Sequence, residues 1–402
     1  MTALGLSVCI SMAAAVSLGM TRFAYALLLP PMRDDLLWSY TLAGAMNTFN
    51  AVGYLVGALL TPMALRRLGA VRVLIWGALF ATLFMALTGF LIDTSALLLQ
   101  RFLAGVASAA VFVSGGLLAA RLGAQTPSQS GLLLGIYYGG TGWGIVLSAL
   151  MVPAALSWAQ AQGVNHPWSW AWWTLAGLCL MLTILLIVIR LPLNRWAPDA
   201  PPSTMASTKS QPTGQALRQW FFALLGYGCF GVGYIGYMTF VVALLREQGA
   251  TPTDITLFYG LLGIAVVVSS RVWAGLLNRY RGGQALSILN GLLSVATLIP
   301  AMTSAWPLMM LSGLIFGVVF LSLVASTTAM VKHNLPPEQW ASGISVFTVI
   351  FALGQIVGPV VVGWIADGEG GLQRGLLFSA LALLLGSYFA WQQNPLTEKP
   401  SP

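Results

Sequence analysis

The sequence predicts an all-α membrane protein, with twelve transmembrane helices in two six-helix bundles related by a pseudo-two-fold. Three observations carry that prediction. Hydrophobic residues make up 58% of the 402 and charged residues only 7%, whereas a soluble domain carries roughly 25% charged residues and uses them to cover its water-facing surface. Apolar stretches of about 20 residues, the length that crosses a bilayer, recur twelve times along the chain. A polar break at 191–216 falls midway, and the two flanks echo each other.

The first span, 4–30, contains GMTRFAYALLLPPM at 19–32, and with it an isolated arginine, Arg22, close to Tyr25. Small residues from Ala13 to Ala15 imitate a signal-peptide cleavage site. No basic segment precedes them and the apolar run continues past Leu27, so the span is read as retained. Span 2, 39–63, holds Asn47 and Asn50 and leads into Arg66-Arg67-Leu68-Gly69. Span 3 is 71–92, and span 4, 95–122, begins with Arg101-Phe102-Leu103-Ala104-Gly105 near its start. Span 5, 129–157, is a ladder of Gly131, Gly135, Gly139, Gly140, Gly142 and Gly144, interleaved with Tyr137, Tyr138 and Trp143. Span 6, 168–190, opens on Trp168, Trp170, Trp172 and Trp173, the composition of an interfacial aromatic belt.

Residues 191–216, LPLNRWAPDAPPSTMASTKSQPTGQA, are rich in Pro, Ser and Thr and predict a flexible linker. It separates an N-terminal bundle at 1–190 from a C-terminal bundle and short tail at 217–402. Span 7, 217–245, repeats Tyr227, Phe230, Tyr234 and Tyr237 at helical spacing. Its Gly231-Val232-Gly233-Tyr234-Ile235-Gly236 fits a dinucleotide fingerprint, but that pattern needs a preceding strand in a βαβ unit. Inside a spanning helix it signals close packing instead. Span 8, 252–277, contains Arg271 and is followed by Asn278-Arg279-Tyr280-Arg281-Gly282, the echo of 66–69. Spans 9, 10 and 12 are 284–302, 306–331 and 372–391. Span 11, 338–364, carries Gln355 among Gly343, Gly354, Gly358, Pro359 and Gly363. Small residues let helices approach closely in lipid, where no hydrophobic force draws them together.

The net charge of +8 is not a nucleic-acid signature, because the basic residues are distributed by side. With the N-terminus inside, Arg66, Arg67, Arg72, Arg121, Arg190, Arg195, Lys209, Arg218, Arg279, Arg281, Lys332 and Lys399 fall on the cytoplasmic side, and Arg33, Arg246 and Arg374 outside. That bias predicts both termini in the cytoplasm, as for a multi-pass protein of a bacterial inner membrane. All ten acidic residues fall in loops: Asp34, Asp35, Asp93, Glu247, Asp254, Asp367 and Glu369 outside, Asp199, Glu338 and Glu398 inside. Cys9, Cys179 and Cys229 lie within spans and indicate no disulfide framework.

With these motifs assembled, the chain resembles a major facilitator superfamily transporter over nearly its whole length, and GMTRFAYALLLPPM is similar to the signature of its YbfB/YjiJ-type branch. Arg101 to Gly105 matches the superfamily's fourth-helix Arg-x-x-x-Gly pattern, and Gly354-Gln355-Ile356-Val357-Gly358-Pro359 its eleventh-helix motif. The loop after span 2 departs from the pattern. Arg66-Arg67 stands where the family has an Asp-Arg pair, and Asn278 takes the corresponding acidic position in the second half. The resemblance implies a secondary transporter working by alternating access, not an enzyme, and expected to be a monomer. It also implies that spans 1 and 4 line a central cavity.

An arginine at bilayer depth costs about 2.5–3.5 kcal/mol on insertion scales, so something must offset Arg22 and Arg101. One reading is an electropositive pocket in which Arg22 grips an anionic group through two parallel hydrogen bonds. The other is that Arg22 snorkels to water or to Asp34 and Asp35. Arg101 is read separately as structural, bonding carbonyls of span 1 or its neighbours. Arg271, near the inner end of its span, is read as snorkelling. The candidate substrate-binding set is Arg22, Tyr25, Asn47, Asn50, Arg101, Tyr137, Tyr138, Trp143, Tyr234, Tyr237 and Gln355. A few polar groups in an aromatic lining fit a small organic anion with apolar or aromatic character. Efflux of neutral or cationic amphiphiles is the alternative, with a membrane enzyme or a channel as the readings from other classes. No cofactor is expected: His166 and His333 lack metal-ligand spacing, and no Gly-Lys-Ser/Thr phosphate loop is present. The partners expected are the solute, membrane lipid, and protons or a counter-transported anion, since no intramembrane carboxylate is available to carry a proton.

Overall fold

A computed structural model describes residues 2–126, 129–198, 218–336 and 339–396. All regular structure among them is helical, and twelve helices have the length and composition to cross a membrane. They are α1 Ala3–Leu36, α2 Tyr40–Leu68, α3 Ala70–Thr88, α4 Thr94–Gln125, α5 Ser130–Ala161 and α6 Pro167–Val188, then α7 Phe221–Glu247, α8 Pro252–Arg279, α9 Gln284–Met302, α10 Trp306–Asn334, α11 Ser342–Ala366 and α12 Gly371–Trp391. All twelve correspond to the expected spans, with α1, α2, α4, α5 and α10 running three to seven residues longer and α3 ending short of residue 92. The start of the expected linker is helical, at Arg190–Trp196, where it packs on α3, α4 and α6 with Leu193 buried. Residues 199–216, with Asp199 and Lys209, and also Glu338, Glu398 and Lys399, lie outside the described residues.

α1 departs most from a regular helix. Pro30 and Pro31 do not end it at residue 30: Met32 is still buried, and the helix runs on to Leu36 and stops where Leu37 turns left-handed, φ 53°, with its N–H on the Arg33 carbonyl. Tertiary packing overrides local propensity here. Upstream, Ala15–Phe23 is wound as a π-helix. The Thr21 hydroxyl donates to the Val16 carbonyl at 2.6 Å, and Ser17 donates to the Ser108 carbonyl of α4 at 2.8 Å. Such π segments are rare and concentrate at functional sites.

The first six helices pack into one bundle and the last six into another, and the bundles meet through α2 with α11, α5 with α8 and α1 with α7. The pseudo-symmetry survives in the glycines. Gly140 and Gly144 of α5 lie on the α1 backbone, as Gly354 and Gly358 of α11 lie on that of α7. The face holding the start of α1 and the end of α12 is called here the terminal face, and the opposite one the distal face.

Hydrogen bonds that tie one bundle to the other cluster toward the distal face. The carboxylate of Asp367, just past α11, accepts the Tyr40 and Thr41 amides at 2.6 and 2.9 Å and the Thr41 hydroxyl at 2.6 Å. The Tyr40 hydroxyl bonds Glu247 at the end of α7. Deeper, Thr48 donates to the Ile356 carbonyl at 2.7 Å, Asn47 to the Thr239 hydroxyl at 2.8 Å, and Tyr259 to the Phe23 carbonyl at 2.8 Å. These contacts close the distal end of the bundle interface.

Two glycines separate folding from closure. A Cβ on Gly44 would collide with the Pro359 carbonyl across the bundle interface, whereas one on Gly105 would collide with the Asn50 carbonyl inside the N-terminal bundle. Overpacking costs typically about 1–3 kcal/mol, and the state that bears it differs. Gly105→Ala is expected to lower the melting temperature. Gly44→Ala is expected to leave it nearly unchanged and instead to raise the reactivity of an Asn47→Cys reporter toward maleimide from the distal face. Equal loss of thermal stability in both variants would contradict this division.

Candidate functional site

The π-helical winding puts Arg22 on the inner face of α1, about 4 Å from the helix midpoint at a rise of 1.5 Å per residue, and only 3% exposed. Its Nη2 donates to Oε1 of Gln355 on α11 at 2.5 Å, across the bundle interface. The guanidinium lies 5.7 Å from the ring centroid of Tyr54 on α2, and Tyr234 of α7 is also within its electrostatic reach. Nε of Arg22 is buried without a hydrogen-bond partner. The snorkelling reading fails on these contacts. Asp34 instead pairs with Arg33 at 3.0 Å, and Asp35 accepts His166 Nδ1 and Trp168 Nε1, each at 2.5 Å.

Arg101 is held differently. It donates Nη1 to the Thr21 carbonyl at 2.9 Å and Nη2 to Oδ1 of Asn47 at 3.2 Å. Its guanidinium is also 4.9 Å from the centroid of Tyr25, whose hydroxyl is spent on the Ala43 carbonyl at 2.9 Å. Asn47 passes the connection on to Thr239 of the C-terminal bundle. Asn50 donates to the backbone carbonyl of Arg101 at 3.2 Å. Arg101, Tyr25, Asn47 and Asn50 thus form one polar frame that locks α1, α2 and α4 together beside Arg22. Arg101→Met leaves the Thr21 carbonyl and Asn47 short of a donor, at about 1–3 kcal/mol for each buried group unpaired. The expected outcome is a clearly lower melting temperature, read by differential scanning fluorimetry.

The opposing wall, from the C-terminal bundle, is a slab of near-parallel rings. Phe230, Tyr234 and Phe351 stack at centroid distances of 4.8–5.4 Å with interplanar angles of 11–27°. Phe320 extends the slab from Tyr234 at 5.2 Å and 17°, and Tyr227 extends it from Phe351 at 5.1 Å and 22°. Stacked faces of this kind present flat apolar surface to a planar ligand.

Of the eleven residues expected at the site, the structure brings Arg22, Tyr234 and Gln355 together, with the Arg101 frame behind them. Tyr138 is 40% exposed and lies near Tyr54 and Tyr137. The other three are elsewhere. Tyr137 is buried in the N-terminal bundle with its hydroxyl on the Phe112 carbonyl at 2.7 Å. Tyr237 stacks on Phe316 at 4.0 Å and bonds Ser312 at 2.8 Å inside the C-terminal bundle. Trp143, 47% exposed, lies on an exposed stripe of α5 with Leu132 and Leu150, off the faces whose glycines meet α1 and α8. Arg271 is exposed near the terminal end of α8. Sequence reasoning missed Tyr54 and Phe351. Tyr54 continues the Asn47, Asn50 face of α2, and Phe351 sits one turn before Gln355 on α11, so helical periodicity could have found both.

The acidic side chains among the described residues sit at the distal ends of the helices, leaving the arginines as the charges of the interior layer. An all-helical protein of twelve spans in two six-helix bundles, with a buried cation where the bundles meet, is a membrane transporter of the major facilitator class. More closely, the chain belongs to the family described as uncharacterised MFS-type transporter YbfB, which matches residues 14–390.

Solved structures share the fold at low identity. A bacterial homolog to the human lysosomal transporter Spinster, in an inward-facing and unoccupied conformation, is 14% identical with a TM-score of 0.72, covering 97% of this chain and 96% of that one. The nucleoside transporter NupG is 14% identical with a TM-score of 0.70 over 97% and 99% of the two chains. The human organic anion transporter MFSD10 (TETRAN) is 15% identical with a TM-score of 0.65 over 96% and 99%. No curated protein matches the sequence.

Proposed function

We propose that this chain is a secondary transporter for a small organic anion with an aromatic or apolar body, moved by alternating access around the interface of the two bundles. The carrying observation is Arg22, buried at that interface with a neutral partner and one unsatisfied donor, facing a slab of aromatic rings. A guanidinium in a low-dielectric layer without a carboxylate attracts an anion, and the rings supply the apolar surface. The positive bias of the terminal face supports a bacterial inner-membrane location with both termini cytoplasmic, so the distal contacts form the outer gate of a monomeric carrier. Protons or an exchanged anion supply the energy coupling.

The test is thermal stabilisation of the purified protein by a panel of aromatic carboxylates, aliphatic carboxylates, organic cations and neutral amphiphiles. A ligand selective for the folded state at a hundredfold excess over Kd adds about 2.7 kcal/mol. Stabilisation by aromatic carboxylates supports the reading. Stabilisation confined to cations or neutral amphiphiles would replace it with multidrug-type efflux.

A further inference from the structure

We infer that Gln355 is an internal stand-in for the anionic group of the substrate, and that it lets the transporter close its distal gate with nothing bound. This rests on the anion reading of the Arg22 site. Arg22 belongs to the N-terminal bundle and Gln355 to the C-terminal one, and their bond lies at the inner end of the row of contacts that closes the distal side. Gln355 directly precedes Ile356, whose carbonyl accepts Thr48 of α2 at 2.7 Å. A movement that parts α2 from α11 at this level therefore also withdraws Gln355 from Arg22.

Closing a dry interface over a guanidinium without an acceptor leaves a buried charge unpaired, which is the expensive case among polar burials. Gln355 removes that obstacle with a neutral oxygen. The exchange of partners is also built into the geometry. Nη2, which Gln355 occupies, and Nε, which is buried and unpartnered, are the two donors on one edge of the guanidinium. A carboxylate takes both in parallel, whereas the amide oxygen takes one. The substrate therefore displaces Gln355, and Gln355 returns when the substrate leaves. Such a carrier resets empty and performs net transport; without the stand-in, only a bound anion would let the gate close, and transport would become obligatory exchange.

The experiment uses the full-length protein in proteoliposomes and radiolabelled 4-hydroxybenzoate at neutral pH, with vesicles either free of or loaded with the unlabelled compound. Wild type is expected to take up the label into both kinds of vesicle at comparable rates. In Gln355→Leu, uptake into unloaded vesicles is expected to fall at least about tenfold, which is 1.4 kcal/mol, while exchange into loaded vesicles persists and shows that the variant is folded. Wild-type uptake restricted to loaded vesicles, or unchanged net uptake by Gln355→Leu, would overturn the inference. If Gln355→Leu loses both modes, Gln355→Glu decides. A fixed carboxylate on Arg22 competes with the probe, so its affinity must drop at least about tenfold, and wild-type affinity in that variant refutes the stand-in role. Absence of saturable flux in every vesicle, together with no stabilisation by any carboxylate, instead fails the anion reading of Arg22 and removes the basis of this inference.

Discussion

Arg22→Gln is expected to weaken binding of a stabilising carboxylate by roughly thirtyfold or more, with little loss of thermal stability in the absence of ligand. Truncating one partner of a buried, hydrogen-bonded charge pair costs about 2–5 kcal/mol, and the lower bound already gives that factor. The fold tolerates the change because Arg22 makes its side-chain hydrogen bond to a neutral residue on the other bundle, and glutamine retains polar atoms there. Arg22→Lys keeps the charge and loses the planar fork, so its affinity should fall between wild type and Arg22→Gln. Isothermal titration of the three proteins with 4-hydroxybenzoate checks the order. Full affinity in both variants would assign Arg22 to structure and bring the amphiphile reading forward.

Asp367→Ala is expected to open the distal gate. The carboxylate sits at the N-terminus of α2, where Ser39 caps Leu42 within its own chain segment and Asp367 satisfies the Tyr40 and Thr41 amides from the opposite bundle. Losing a cap and a charge at a helix N-terminus costs about 1–2 kcal/mol. Because the cap spans two bodies, the cost falls on the closed state and not on either bundle, shifting the equilibrium about five- to thirtyfold. Increased maleimide reactivity of Asn47→Cys from the distal side, at an unchanged melting temperature, is the expected readout.

The same contact predicts a pH response with a definite sign. Burial tends to raise the Asp367 pKa, but hydrogen bonds from the Thr41 hydroxyl and from the Thr41 and Tyr40 amides outweigh it, holding the carboxyl below the usual range. A depressed pKa in the closed state means that Asp367 stabilises closure above its unlatched pKa, near 3.9 for an ordinary aspartate. That contribution disappears as pH falls through the lower, latched value. Gating should therefore show no Asp367-dependent change between about pH 5 and 8. An Asp367-dependent opening in that range would contradict the latch geometry and make this carboxylate a proton-sensing group.

The residues of the site were unequally legible in the sequence. Arg22 and Arg101 stand out because a charge inside an apolar span demands a partner, and Gln355 and Asn47 because amides in a dry layer do as well. Their division of labour was legible only in part: Arg101 read as structural, but only the fold shows that Arg22 bonds across to the other bundle, while Arg101, whose Nε is likewise unpartnered, is bound into its own. Tyr137, Tyr237 and Trp143 share composition with the candidate wall but point elsewhere, because a helix rotates 100° per residue and an apolar span lacks the polar face that reveals its orientation. Asp367 reads as an ordinary loop acid. Its role depends on Tyr40, 327 positions away.

By itself, the sequence determined that this is a twelve-span membrane protein with two similar halves, and where each span lies. Those properties follow from the transfer of apolar side chains into lipid and from the length of a helix that crosses it, which are local sums over consecutive residues. Only the tertiary structure decided which face of each helix turns inward, that α1 is underwound into a π-helix where it carries Arg22 to the bundle interface, and that the distal end is the closed one. These depend on close packing and on hydrogen bonds between residues hundreds of positions apart. In a chain apolar on every side, no local pattern encodes them.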